Sequence, residues 1–150
     1  RDINSLLEMC QSAAPFEREG YVVRDGAGRR VKVKTPAYVF ASNALSHLLT
    51  DRRKLECILA GKVDDYWPYL PDEIRSEFTA LQRALDDLRH DTMRQYREIA
   101  WIADQKAFAA EATRWRWPAA LFSLRKGLAF EEIASRTQID KLLALIGGRS

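Results

Sequence analysis

The chain has 150 residues and a formal net charge of +3 at pH 7, with 47% hydrophobic and 30% charged residues. This balance excludes global disorder, which needs low hydrophobicity together with a high net charge. No apolar run approaches the ~20 residues of a membrane-spanning helix and residues 1–7 do not resemble a signal peptide, so we expect a cytoplasmic protein with no membrane partner.

The first forty residues change from a helical pattern to a strand pattern. Residues 3–10 carry apolar side chains at helical spacing, whereas residues 19–24 and 30–34 alternate with a period of two and are rich in valine. Between these two stretches, Asp25-Gly-Ala-Gly28 is a turn signal, and we therefore predict a β-hairpin. Residues 37–40, after a proline, are predicted to form a third extended stretch.

From Asn43 onward the apolar spacing is helical. Asn43 is predicted to cap a helix that stops at Gly61, and Pro71 is predicted to lie in the first turn of a long helix. The predicted fold class is therefore α+β and mostly α, with a hairpin and one more strand in residues 1–42 and a helical domain in residues 43–150.

Two further helix signals lie in the last third of the chain. Pro118 is expected to begin a short helix that ends at Gly127. Thr137 with Asp140 resembles a capping box, which predicts the start of the last helix.

The hairpin is the stretch whose residues suggest chemistry. In an extended strand Lys32 and Lys34 project to the same face, with their side chains about 7 Å apart. Glu19 lies on the same small sheet if the predicted turn pairs the strands. Two ammonium groups beside a carboxylate suit a polyphosphate and its metal ion. The alternative is an amphipathic hairpin whose lysines are simply solvated.

The same residues carry a family resemblance. Glu19-Gly-Tyr-Val-Val and Val31-Lys-Val-Lys-Thr-Pro-x-Tyr resemble the fourth and fifth motifs of the covalent nucleotidyltransferase superfamily. The form of the second motif, followed by a helical domain, is closest to ATP-dependent RNA ligases of the bacteriophage tRNA-repair type. The resemblance implies that residues 1–42 are the C-terminal tail of an adenylyltransferase domain and that residues 43–150 are a helical C-terminal domain.

The resemblance also implies roles for individual residues. Glu19 would lie near ATP and Mg²⁺, and Lys32 and Lys34 would contact the phosphates and act in catalysis as pyrophosphate leaves. In this family another lysine, in a Lys-x-Asp-Gly motif, forms lysyl-AMP, and AMP then passes to the 5′-phosphate of a nicked structured RNA such as tRNA. Residues 1–150 contain no Lys-x-Asp-Gly, and the chain starts at Arg1 rather than Met. We therefore expect it to begin inside a longer ligase and to be inactive alone.

Other functions remain open from the sequence. The chain could be a non-catalytic helical domain that binds RNA or protein, or the motif pair could belong to a DNA ligase or a capping enzyme. Arg114-Trp-Arg-Trp117 alternates cations and aromatic rings, which could bind nucleic acid through Arg114, Trp115, Arg116 and Trp117. The alternative for this segment is that one tryptophan packs into the helical core while the arginines are solvated.

The cysteine content agrees with a cytoplasmic location. Cys10 and Cys57 are the only cysteines, and neither has the closely spaced soft ligands that a structural zinc site needs. We therefore predict two thiols in a reducing compartment.

Overall fold

A computed structural model describes residues 3–13 and 17–147 of the chain. In chain order the elements are α1 (Ile3–Ser12), β1 (Gly20–Arg24), β2 (Arg30–Lys34), α2 (Pro36–His47), α3 (Asp51–Leu59), α4 (Val63–Tyr66), a 3-10 helix (Trp67–Tyr69), α5 (Asp72–Ile99), α6 (Gln105–Ala112), α7 (Pro118–Arg125), α8 (Phe130–Arg136) and α9 (Ile139–Ile146). The fold class is α+β and mostly α, as the sequence predicts.

The chain divides into two compact units. Residues 1–49 and 64–71 form one unit, here called the hairpin unit. Residues 50–63 and 72–150 form the other, here called the helical unit. The sequence-based division at residues 42 and 43 concerns family domains rather than compact units, and it stays a prediction.

The predicted hairpin is confirmed. Strands β1 and β2 pair antiparallel, with Gly20 opposite Lys34 and Arg24 opposite Arg30. The turn is held by the Asp25 carboxylate, which accepts the backbone N–H groups of Ala27 at 3.0 Å and Arg29 at 2.9 Å. This is the local bonding for which aspartate is favoured in turns.

The third predicted strand is wrong, because residues 37–40 belong to helix α2. Thr35 precedes this helix, and its side-chain oxygen accepts the Tyr38 N–H at 3.2 Å. Pro36 occupies the first helical position, where its missing N–H costs no hydrogen bond. A threonine followed by proline is therefore a helix start here rather than the entry to a strand.

Helix α5 has 28 residues, more than any other described helix, and it contacts α3, α6, α7 and α9. The main core cluster joins α3, α5, α7, α8 and α9, and its fully buried side chains include Leu55, Ala120 and Leu142. Lys54 of α3 is also buried, and its ammonium group reaches Asp51 at 3.3 Å and Glu77 of α5 at 2.5 Å. Ion pairing of this kind is what allows a lysine to be buried.

Helix ends in the helical unit follow the sequence in some places and not in others. Pro118 does begin α7, and Gly127 follows that helix in a left-handed conformation. Thr137 is not part of a capping box, because it ends α8 and its hydroxyl donates to the Ile133 carbonyl at 2.7 Å. Gln138 is the residue that precedes α9, and Asp140 pairs instead with Arg52 of α3 at 2.8 Å.

The predicted cap at Asn43 is also wrong, since Asn43 lies inside α2. The helix predicted from Asn43 to Gly61 is two helices, and Thr50 caps the second by accepting the Arg53 N–H at 3.3 Å. The predicted stop is confirmed, because α3 ends just before Gly61, which has a φ of 64°.

Within residues 3–13 and 17–147, none of the helices has the length and apolar character required to cross a membrane.

Candidate functional site

The hairpin places its basic side chains on one face. Residues that lie opposite each other in an antiparallel pair share a face, and the register pairs Arg24 with Arg30 and Val22 with Lys32. Since side chains alternate along a strand, Lys34 lies on this face as well. The face formed by Arg24, Arg30, Lys32 and Lys34 is here called the basic face. The two arginines were not singled out from the sequence, although the strand period places them there.

Glu19 lies at the centre of the candidate site. One of its carboxylate oxygens is 2.7 Å from the Lys32 ammonium nitrogen and 3.5 Å from that of Lys34. All three side chains are about half exposed. The structure therefore brings together the three residues that the sequence predicts as a site, in a position open to solvent.

The backbone around Glu19 fixes its place at the base of the hairpin. The Glu19 carbonyl accepts the Thr35 N–H at 3.1 Å, and the Thr35 hydroxyl donates to the Arg18 carbonyl at 3.2 Å. Thr35 is completely buried. It therefore links the segment before β1, the end of β2 and the start of α2.

Gly20 allows the two strands to approach at this point. A β-carbon built on Gly20 would lie 2.2 Å from the Val33 carbonyl oxygen and 2.8 Å from the Lys34 α-carbon. Any side chain here would thus collide with the backbone of β2. The absence of a side chain at Gly20 therefore allows the backbone of β2 to approach.

The lysines lower the pKa of Glu19. The main cause is the hydrogen bond from Lys32, and the positive charges of Lys32 and Lys34 act in the same direction. Glu19 is therefore ionised at neutral pH.

Tyr38 completes the surroundings of Lys34. The Lys34 ammonium nitrogen lies over the Tyr38 ring, 5.7 Å from its centroid, which is a cation–π distance. Tyr38 is the last residue of the motif-like segment, and the helical turn that starts at Pro36 brings it back toward the strand. Its position depends on α2, so the strand predicted for residues 37–40 could not have indicated this contact.

The acidic groups near the site are too few for a metal centre built by protein alone. Among the described residues there is no group of three or more histidine, cysteine, aspartate or glutamate side chains that could hold a metal ion. Mg²⁺ in nucleotide sites commonly takes one or two carboxylates and completes its coordination with phosphate oxygens and water. Glu19 can supply one such carboxylate.

The segment Arg114–Trp117 lies in the helical unit, and its side chains have different surroundings. Trp117 is 2% exposed and packs edge to face against Phe130, with 5.9 Å between ring centroids. Trp115 is half-buried against a second core cluster. The enclosed ring places Trp117 in the core, as the packing alternative predicts, and its role in nucleic-acid binding stays a prediction.

The two arginines of that segment are exposed. Arg114 pairs with Glu111 at 3.0 Å, and Arg116 donates to the Ala144 carbonyl at 3.3 Å. These contacts agree with the packing alternative, in which a tryptophan belongs to the core and the arginines are solvated. A role for Arg114, Trp115 and Arg116 in binding nucleic acid stays a prediction.

Comparison with known proteins adds no relative: the chain matches no protein-family model, no curated protein and no solved structure.

Proposed function

We propose that the chain is the C-terminal part of an ATP-dependent RNA ligase. The enzyme would seal 5′-phosphate and 3′-hydroxyl ends of nicked structured RNA, such as tRNA, through lysyl-AMP and adenylylated RNA. The observation that carries this proposal is the cluster at the base of the hairpin, where Glu19 lies 2.7 Å from Lys32 and 3.5 Å from Lys34. These are the residues that match the two motifs.

The cluster has the chemistry that the transfer step needs. Lys32 and Lys34 carry full positive charges on paired strands, so they can bind the phosphates of ATP and stabilise the charge that develops on departing pyrophosphate. Glu19 holds the two ammonium groups together before ATP binds, and the phosphates would replace it as their partner. Mg²⁺ bound with ATP would neutralise phosphate charge and would take Glu19 as a protein ligand.

The remaining parts of the reaction belong to residues outside 1–150 in this proposal. The lysine that attacks the α-phosphate would lie in the missing Lys-x-Asp-Gly motif. Arg24 and Arg30 extend the basic face away from Glu19 and would add to the attraction for polyanions. We place the enzyme in the cytoplasm, where both buried thiols, Cys10 and Cys57, would stay reduced.

A second candidate is a non-catalytic domain that binds RNA or protein. The observation that favours it is that Lys32 and Lys34 already have a counter-ion in Glu19. Mutual neutralisation of this kind is also what an ordinary amphipathic hairpin achieves. The two candidates differ in whether a covalent nucleotide intermediate forms.

Intact-mass spectrometry of the full-length protein after incubation with ATP and Mg²⁺ separates them. The ligase proposal predicts a gain of one AMP on a lysine outside residues 1–150. A folded protein that gains no mass, with Mn²⁺ also tried, would contradict the proposal and favour the non-catalytic candidate.

The variant Lys34→Ala tests the role of the cluster in the same full-length protein. We expect the rate of adenylylation to fall about a hundredfold or more, because a preorganised positive charge at the phosphates is lost. Lys106→Ala is the matched control, since Lys106 is an exposed lysine of α6 in the helical unit. Equal rates in the two variants, with unchanged circular dichroism, would overturn the role assigned to Lys34.

A further inference from the structure

A cavity of about 550 Å³ opens among α7, α8 and α9 of the helical unit. Trp117, Leu128 and Ile133 provide its apolar wall. Its volume is within the range of about 300–1,000 Å³ that is common for small-molecule sites. None of the residues that the sequence singled out as an ATP site lies in this cavity.

Three cations line the cavity, namely Lys126, Arg136 and Lys141, and none of its described lining residues carries a carboxylate. Arg136 is paired with Glu132 on its own helix at 2.5 Å. Lys126 and Lys141 form no ion pair with any residue in the described parts of the chain. Two lysines without a carboxylate partner among the described residues, lining one cavity, give it a local excess of positive charge.

The polar groups of the cavity also favour an anionic ligand. The hydroxyls of Ser123 and Thr137 donate to the carbonyls of Ala119 and Ile133 in their own helices. The donors left for a ligand are therefore the ammonium groups, the guanidinium group and the Gln138 amide. A site with cationic donors and no carboxylate repels metal ions and attracts anions.

We propose that this cavity binds a phosphoryl group carried by a nucleotide or by RNA. Three cations suit an anion with more than one negative charge, and a guanidinium group can bind two oxygens of a phosphoryl group. The apolar wall leaves room for the part of the ligand that bears the phosphate. This proposal does not depend on the ligase function, because the cavity belongs to the helical unit and the ATP site to the hairpin unit.

Isothermal titration of the 150-residue chain with inorganic pyrophosphate tests the proposal. The variant Lys126→Gln/Lys141→Gln removes the two unneutralised charges and keeps polar side chains of similar length. We expect its affinity for pyrophosphate to fall at least about tenfold, which is the effect of losing charged hydrogen bonds to an anion. Circular dichroism should be unchanged, since both lysines are exposed.

Two control variants make the result specific. Lys62→Gln/Lys106→Gln removes the same net charge from exposed lysines of the helical unit that do not line the cavity. Lys32→Gln/Lys34→Gln removes the hairpin lysines. Both controls should retain the binding that depends on Lys126 and Lys141. Equal losses in all three variants, or no pyrophosphate binding by the unmodified chain, would overturn the proposal.

Competition then distinguishes the source of the phosphate. ADP and a short single-stranded oligoribonucleotide are each added to the pyrophosphate complex. Displacement by ADP alone assigns a free nucleotide, and displacement by the oligoribonucleotide assigns RNA. In either case the competitor must lose affinity in the Lys126→Gln/Lys141→Gln variant. A competitor whose affinity is unaffected by that double substitution acts elsewhere, and failure of both competitors would contradict a nucleotide or RNA ligand.

Discussion

Glu19 is kept ionised by two neighbouring lysines, Lys32 and Lys34. Its side chain is about half exposed, so water competes with the two lysines for its charge. The pKa is nevertheless lowered, first by the hydrogen bond from Lys32 and then by the charges of both lysines. The ion pair is therefore complete at neutral pH and is lost as the pH falls through the lowered pKa of Glu19.

The variant Lys32→Met should raise the pKa of Glu19 toward its usual value, because it removes the hydrogen bond that contributes most. Carboxyl carbon chemical shifts of Glu19, followed by NMR from pH 7 to pH 2, measure the change. Lys34→Met is the matched control and should raise the pKa less, since Lys34 lies 3.5 Å away rather than 2.7 Å. A larger effect of Lys34→Met would contradict this order of contributions.

At the scale of single elements, the hairpin depends on the absence of one side chain. Gly20 lies so close to β2 that a β-carbon would overlap the Val33 carbonyl oxygen. At Gly26, in the turn of the same hairpin, no atom of the described residues lies within 4 Å of the corresponding position. The two glycines therefore play different roles only a few residues apart.

Gly20→Ala should destabilise the hairpin by about 1–3 kcal/mol, the usual cost of forcing an extra carbon into a packed position. Hydrogen exchange of the β1 and β2 amides, measured by NMR, should become faster. Gly26→Ala is the control and should leave the exchange rates unchanged or slow them slightly, because alanine restricts the unfolded chain. Similar exchange in the two variants would show that the close approach at Gly20 is not needed.

The elements that could be predicted from the sequence are those determined by residues close together in the chain. The hairpin follows from period-two alternation around an aspartate–glycine turn, and the same period places Lys32 and Lys34 on one face. Glu19 precedes β1, and its contact with both lysines does not follow from the strand period, which would place it on the other face. Helix α2 was missed because Thr35-Pro36 permits either a strand exit or a helix start. What decides between them is the burial of Thr35, which depends on contacts with Arg18 and Glu19.

Contacts with other elements also explain why the start of the last helix was predicted incorrectly. Thr137 and Asp140 have the spacing of a capping box, but Thr137 bonds back to Ile133 of the preceding helix and Asp140 pairs with Arg52 of α3. Asp140 pairs with Arg52, which lies 88 residues away in the chain. The cavity with Lys126, Arg136 and Lys141 was missed for a similar reason, because it forms only when three short helices pack together.

For the whole molecule, the two compact units differ in how much apolar surface they bury. The described residues of the hairpin unit contribute four buried hydrophobic side chains, namely Cys10, Ala41, Leu48 and Leu70. The helical unit contains the two core clusters, one of which includes Trp117 and Phe130. Since burial of apolar surface is the main stabilising term, most of the stability of the chain should come from the helical unit.

Trp117→Ala tests this distribution together with the assignment of Trp117 to the core. We expect a loss of about 3–5 kcal/mol in the free energy of unfolding, measured by urea denaturation with circular dichroism, because a large buried side chain is removed. Trp101→Ala is the matched control, since Trp101 is 80% exposed. Its substitution should change the stability by less than about 0.5 kcal/mol.

Measuring the affinity of both variants for RNA tests whether the helical unit binds nucleic acid through Trp117. If Trp117 acts by packing, any loss of RNA binding in Trp117→Ala should parallel the loss of folded protein and should be small at temperatures where the variant is folded. A folded Trp117→Ala variant that has lost RNA affinity would contradict the packing role and support the nucleic-acid interpretation of this residue. Arg114→Gln and Arg116→Gln then separate the contributions of the exposed cations, because neither substitution removes core volume.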